Sequence, residues 1–300
     1  MAAAAIGTVA PVTSGPPIGP RAPGALESIV DAEPELRPRR RLGALWAWVA
    51  FLLGAAYFIV PLIATFEVSL KAKPAFAAYT NSFGDARFLG SLTYSFVIGV
   101  ITVALSIALV VPTAYWVRLR VPQLRPVIEF ITLLPFVIPP VVLVFGLIRA
   151  YSRPPLPLTN TDLGSSALLV LAYVTLSLPY MYRSVDAGLR TIDIRTLTEA
   201  AQSLGSGWFT IVTRIILPNL RVSLLSGAFL SLAIVIGEFT IATFLARPAF
   251  GPYLALLGAN RAYEPAAVTL ISFGLTWLAM IAISVLGRGS RSRISIAGAR

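Results

Sequence analysis

Apolar positions in this chain neither alternate nor keep to one stripe; they run on in blocks. Six blocks, at about 43–66, 92–116, 127–149, 165–183, 221–245 and 265–286, are long enough to cross some 30 Å of hydrocarbon, which takes roughly 20 helical residues. Backbone groups in lipid have no water to bond, so runs of this length without two-residue alternation predict helices. The expected fold is therefore all-α and polytopic, with six transmembrane helices and both termini on one side. Prolines fall inside the blocks at Pro61, Pro112, Pro135, Pro139, Pro140 and Pro179, each removing a backbone hydrogen bond and predicting a kink. The "LPFVIPP" cluster at 134–140 is dense enough to predict an interrupted helix lining a path.

The flanks differ in kind. Residues 1–40 are rich in Ala, Pro and Gly and read as a disordered tail and a poor signal peptide, ending in "RPRRR" before the first block. The predicted membrane domain is 41–290, and 291–300 is a second tail. Seventeen of the 24 Lys and Arg residues lie in the stretches 1–41, 117–126, 183–221 and 288–300, which puts those regions, and both termini, on the cytoplasmic side.

Composition sharpens the class. The chain of 300 residues is 57% hydrophobic and 12% charged, against about 25% charged for soluble domains. Its net charge of +11 sits in clusters at block ends, so it marks topology and not a nucleic-acid groove. With no Cys and no His, thiolate chemistry, disulfides and the commonest metal ligands and general base are excluded. No catalytic or metal site is expected.

One polar stretch breaks the membrane pattern, "EAAQSLGSGWFTIVTRIILP" at 199–218, inside a cytoplasmic segment spanning 193–220. "TLTE" at 196–199 predicts a capping box that starts a helix near Leu197. Gly205 stands where a left-handed residue closes it. A second helical run follows, with Trp208, Ile211, Val212, Ile215 and Ile216 on one buried face, and Pro218 is expected to end it. The expectation is a helix–glycine–helix elbow offered to a partner.

Glu-Ala-Ala, three residues, Gly, nine residues, Ile, one residue, Leu-Pro resembles the EAA loop of bacterial binding-protein-dependent ABC importer permeases. Glu199, Ala200, Ala201, Gly205, Ile215, Leu217 and Pro218 carry it. The likeness extends over about 43–290. It implies the type I ABC importer permease arrangement in a bacterial cytoplasmic membrane, and a coupling role for Glu199, Ala200, Ala201 and Gly205, with packing and termination at Ile215, Leu217 and Pro218. It also implies partners: two ATP-binding cassette subunits, a second permease subunit of different sequence, an extracytoplasmic substrate-binding protein, a small solute, membrane lipid, and no nucleic acid. No G-x-x-x-x-G-K-[ST] loop is present, so no cofactor is expected on this chain and ATP is used by partner subunits. The chain is not expected to be an enzyme.

Within that family the "IGEFTIATFLARP" stretch at 236–248 looks most like the spermidine/putrescine class, making a polyamine the expected solute. Another small solute, such as an oxyanion or ferric iron, is the alternative, and an ion-coupled secondary transporter a more distant one. Glu238 lies within the fifth block, where a carboxylate is costly. It is expected either to line the path or to be hydrogen-bonded between helices, and the similar Gly-Glu-Phe of sulfate and molybdate permeases keeps both open. Thr240, Thr243, Pro139 and Pro140 are the other path candidates. Glu129 is expected to pair with Arg125, Arg183 with Asp186 in an exposed pair, and Tyr180 and Tyr182 to sit in an interfacial belt. Tyr79, Phe83, Tyr253 and Tyr263 fall in outside loops.

Overall fold

The computed structural model describes residues 41–288, and the tails predicted at 1–40 and 291–300 lie essentially outside them. Every regular element among the described residues is helical. The chain divides into two units, 1–60 and 61–300. The described part of the first is apolar helix, the start of α1 (Arg41–Leu70), which continues past Pro61 into the second.

The second unit is built around two long helices. α3 (Ala86–Arg120) follows the short α2 (Ala77–Gly84) and outruns its apolar block at both ends. Asp85 caps it by accepting from the Arg87 N–H at 2.8 Å, and Arg118 and Arg120 occupy its last turn, where cations suit the helix dipole. α6 (Asp162–Arg190) is capped by Thr161, which accepts from the Gly164 N–H at 3.1 Å. It is the spine of the fold, with Leu168, Leu169, Tyr173, Met181, Val185 and Leu189 all buried. At about 1.5 Å per residue both exceed the hydrocarbon thickness.

Two blocks are not single helices. The 127–149 block forms α4 (Arg125–Val137) and α5 (Pro140–Tyr151) at 97° to one another, the interruption that "LPFVIPP" predicts. Pro139, at φ −59°, ψ 138°, is the non-helical corner, and Pro140 opens α5, where a missing N–H costs nothing. The 221–245 block, expected as one span, also breaks. α9 (Arg221–Gly237) stops before Glu238, and α10 (Thr240–Phe244) follows after two non-helical residues. α11 (Phe250–Asn260) and α12 (Glu264–Arg288) complete the chain.

α9 crosses α6 closely because small residues face each other. A Cβ on Gly188 of α6 would lie 2.7 Å from Ser223 Cβ and 2.8 Å from Leu220 Cδ2, and one on Gly227 of α9 would lie 2.9 Å from Met181 Sδ. In lipid, where apolar burial does not hold helices together, such close approach supplies the dispersion contact that does. Replacing Gly188 with Ala forces the two helices apart and is expected to lower stability by about 1–3 kcal/mol. A depressed thermal unfolding midpoint in detergent would show this, and an unchanged midpoint would refute the contact.

Candidate coupling elbow and path cleft

The polar segment after α6 folds into two short helices. α7 (Ile194–Ser203) starts three residues before the predicted point, because its cap is Asp193 and not Thr196. The Asp193 carboxylate accepts from the Thr196 Oγ1 at 2.8 Å and the Thr196 N–H at 3.2 Å, and those bonds hold its carboxyl below the usual range. Glu199, expected to close a capping box, instead faces solvent and pairs with Arg195 at 3.5 Å. Gly205 does close the helix, with φ +78°. The Ser206 N–H bonds the Ala201 carbonyl and the Gly205 N–H the Gln202 carbonyl, both at 2.9 Å, a Schellman motif.

The second helix, α8, runs Trp208–Asn219 and ends one residue past Pro218. It widens over Ile211–Ile216 into π turns, so that the Leu217 N–H reaches the Val212 carbonyl five residues back. A normal turn would drive the proline ring into the carbonyl four residues before it, and the wide turn relieves that clash. Side chains take up other end carbonyls: Asn219 Nδ2 donates to Ile215 at 2.8 Å and Arg221 Nε to Pro218 at 2.9 Å. The chain then turns 80° into α9.

This elbow is seated on the ends of α3 and α6. Ile194, Ala201, Ile211, Val212 and Ile216 are buried with Val111, Tyr115, Tyr182, Val185 and Leu189, and Ile215 and Leu217 are half-buried against the same cluster. Thr198 spends its proton on the Ile194 carbonyl at 2.6 Å, so at 3.0 Å the buried Tyr115 hydroxyl donates to Thr198. Of the motif residues, Glu199, Ala200 and Gly205 are exposed. Trp208, expected on the buried face, is 51% exposed, and with Leu204 at 86% and Phe209 at 73% it makes an apolar tip that periodicity did not identify.

Beneath the elbow, Asp186 is not in the expected exposed pair with Arg183. Its carboxylate meets Arg190 at 2.7 Å, Arg125 at 2.9 Å and Arg118 at 3.6 Å, while Arg125 also bonds Glu129 at 3.0 Å as the sequence suggests. Nor is Tyr182 a belt residue: it is 4% exposed in the elbow core. Tyr180 stacks edge-on against Phe136.

Farther along, the two helix breaks meet. Pro139, Pro140, Tyr180, Ile234, Gly237 and Glu238 line a cleft of about 500 Å³. The Glu238 carboxylate accepts from the Ile241 N–H at 2.8 Å, the Ala242 N–H at 3.2 Å and the Tyr173 hydroxyl at 3.0 Å. It caps α10 and ties it to α6. Gly251 of α11 packs against this corner, where a Cβ would lie 2.8 Å from the Glu238 carbonyl carbon. Thr240 and Thr243 do not share the cleft lining; Thr243 bonds back to Phe239 at 2.6 Å. Arg247, which sequence reasoning missed, bonds the Asp162 carboxylate at 2.6 Å and its carbonyl at 3.1 Å, joining the α10 turn to the start of α6. The outer aromatics are engaged too: Tyr79 bonds Ser69 at 2.7 Å and Tyr253 donates to Asp85 at 3.1 Å. Among the described residues no group of three acidic side chains is placed to hold a metal.

Residues 102–296 match the family of binding-protein-dependent transport system inner membrane components. The chain belongs to that family. This permease is 30% identical, over 71% of its length and 80% of the relative's, to a probable molybdenum ABC transporter permease of Haloferax volcanii. It is 29% identical to the molybdenum transport system permease of Mycobacterium tuberculosis over 83% and 95% of the two chains. The spermidine/putrescine permease of Escherichia coli is 32% identical, but over 93 residues only, 31% of this chain and 34% of that one. A crystal structure of a bacterial ABC transporter importing the acidic polysaccharide alginate superposes with a TM-score of 0.64 at 14% identity, covering 84% of this chain and 98% of that one. The permease therefore has the all-α type I ABC importer fold.

Replacing Glu238 with Gln leaves one oxygen to serve three donors. The expected result is a loss of about 1–2 kcal/mol in stability, read from the unfolding midpoint, with the solute KM unchanged. A shifted KM at constant midpoint would contradict the capping role.

Proposed function

We propose that this permease forms the membrane path of an ATP-driven importer for a tetrahedral oxyanion of the molybdate class. The single observation that carries the solute is the likeness to molybdenum permeases over 71–83% of the chain. The polyamine expectation rested on the likeness of the 236–248 stretch to the spermidine/putrescine class, a stretch whose one acid is the Glu238 carboxylate. That carboxylate already accepts three hydrogen bonds, so it is committed to holding α10 and not to a passing solute. The same commitment argues against an ion-coupled transporter, because Glu238 was the one clear mid-block acid.

In this reading the exposed residues Glu199, Ala200, Gly205, Leu204, Trp208 and Phe209 dock on a separate ATPase subunit, and both termini share its side of the membrane. ATPase closure pushes the elbow; the elbow carries the ends of α3 and α6; and the cleft between Pro139–Pro140 and Glu238 faces one side and then the other. A second permease subunit completes the path, and an extracytoplasmic binding protein delivers the solute.

The test is uptake by proteoliposomes holding this chain with its cognate permease, ATPase and binding protein partners. ATP-dependent accumulation of molybdate, and none of putrescine, is expected. Accumulation of putrescine without molybdate would overturn the solute assignment, and uptake in the absence of the ATPase would overturn the importer.

A further inference from the structure

The π turns of α8 decide which of its side chains face outward. Five residues of regular helix turn about 500°, which would leave Ile211 about 140° away from Ile216 around the axis. Yet both are buried in the elbow seat, at 1% and 0% exposed. The wider turn over Ile211–Ile216, with the Leu217 N–H on the Val212 carbonyl, brings positions five apart nearly into line, and so lets the two side chains share one face.

The residues before Ile211 are carried round with it. Phe209, two positions earlier, falls about 160° from Ile211 and is 73% exposed. Trp208, three positions earlier, falls about 60° from it and is half exposed. An unwidened α8 would aim them differently. Phe209, seven positions before Ile216, would lie about 20° from it, on the seat, and Ile211 would swing out. Trp208 would lie about 80° from Ile216 and so change little.

The π turn therefore acts on Phe209 above all, converting an apolar ring that a regular helix would turn inward into the exposed edge of the tip. What holds the turn open is Pro218, whose ring excludes the carbonyl four residues back in a normal turn. Asn219 and Thr213 support it, with the Asn219 Nδ2 donating to the Ile215 carbonyl at 2.8 Å and the Thr213 hydroxyl to the Phe209 carbonyl at 2.7 Å.

We propose that Pro218 is a positioning residue which, through the π turn, aims Phe209 out of the seat and into an apolar recess of the ATPase subunit. Pro218 is itself half-buried and acts on the ring only through the helix between them. The proposal rests on the importer reading above for the partner, and on helix geometry alone for the aim.

The test uses the full-length chain with a cysteine-free permease partner, and Phe209→Cys or Ile211→Cys as the single thiol, since the chain has none of its own. Labelling by a membrane-impermeant maleimide is timed in detergent before the ATPase is added. On the native background Phe209→Cys is expected to label about tenfold faster than Ile211→Cys, because a buried site reacts only on local opening. Pro218→Ala is expected to reverse that order. Deleting the exposed Arg214 as well takes out the extra residue of the wide turn, and is expected to restore the native order. Unfolding midpoints are expected to stay close to native throughout.

With Phe209 intact and the ATPase bound, solute-stimulated ATP hydrolysis is expected to fall in Pro218→Ala and to recover with the deletion. An unchanged labelling order in Pro218→Ala overturns the proposal, as does a lowered midpoint there that the deletion does not restore. A reversed order with undiminished stimulation overturns the ATPase contact of Phe209. Failure of the native complex to import solute with ATP removes the importer reading instead, and the labelling order still decides the role of Pro218.

Discussion

The seat of the elbow on the ends of α3 and α6 is the contact on which the rest of the structure depends. A fully buried aliphatic side chain contributes about 1.5–3 kcal/mol outside lipid, and Ile194, Ile211, Val212 and Ile216 are all buried there. The Tyr115–Thr198 hydrogen bond fixes the register of α7 against α3. The arginines on Asp186 then join α3, the start of α4 and α6 just beneath. The exposed tip at Leu204, Trp208 and Phe209 is thus joined to the long helices through buried side chains.

At the other end of the unit the governing constraint is backbone satisfaction in apolar surroundings. Two helices break, and each break is closed by a specific device. Proline supplies the first corner at Pro139 and removes the donors that would otherwise be orphaned. A carboxylate supplies the second, where Glu238 takes the first N–H groups of α10 and the Tyr173 hydroxyl together. Both corners border one cleft, so the irregular backbone lies where a path can use it, and the cost of a mid-block carboxylate is offset by its donors.

Much of this was legible in the sequence because it is local. Block length gave α1, α3, α6 and α12, proline density gave the α4–α5 corner, and residue spacing gave the elbow with Gly205 at its turn. The failures are where partners are distant or where two local signals compete. Asp193 and Thr196 are both good cap residues, and the charged acceptor won. Pro218 stands one residue before the end of α8, close to the expected stop, and the π turn that admits its ring was not legible. The break at Glu238 is closed partly by the local N–H groups of Ile241 and Ala242 and partly by Tyr173 and Gly251, which lie far along the chain. The Asp186 cluster draws on Arg190 at the i,i+4 spacing of one helix, but also on Arg118 and Arg125, which no spacing rule connects to it.

The central claim is that the elbow and the spine move as one body. With no cysteine in the chain, spin labels can be attached at single introduced cysteines at Leu204 on the elbow and Leu171 on α6, both exposed. Pulsed electron–electron resonance on the assembled, reconstituted importer then reads their separation with and without ATP. The account predicts one unchanged, narrow distance distribution in both states. A distance that shifts or broadens when nucleotide binds, in a complex that still imports solute, would contradict it.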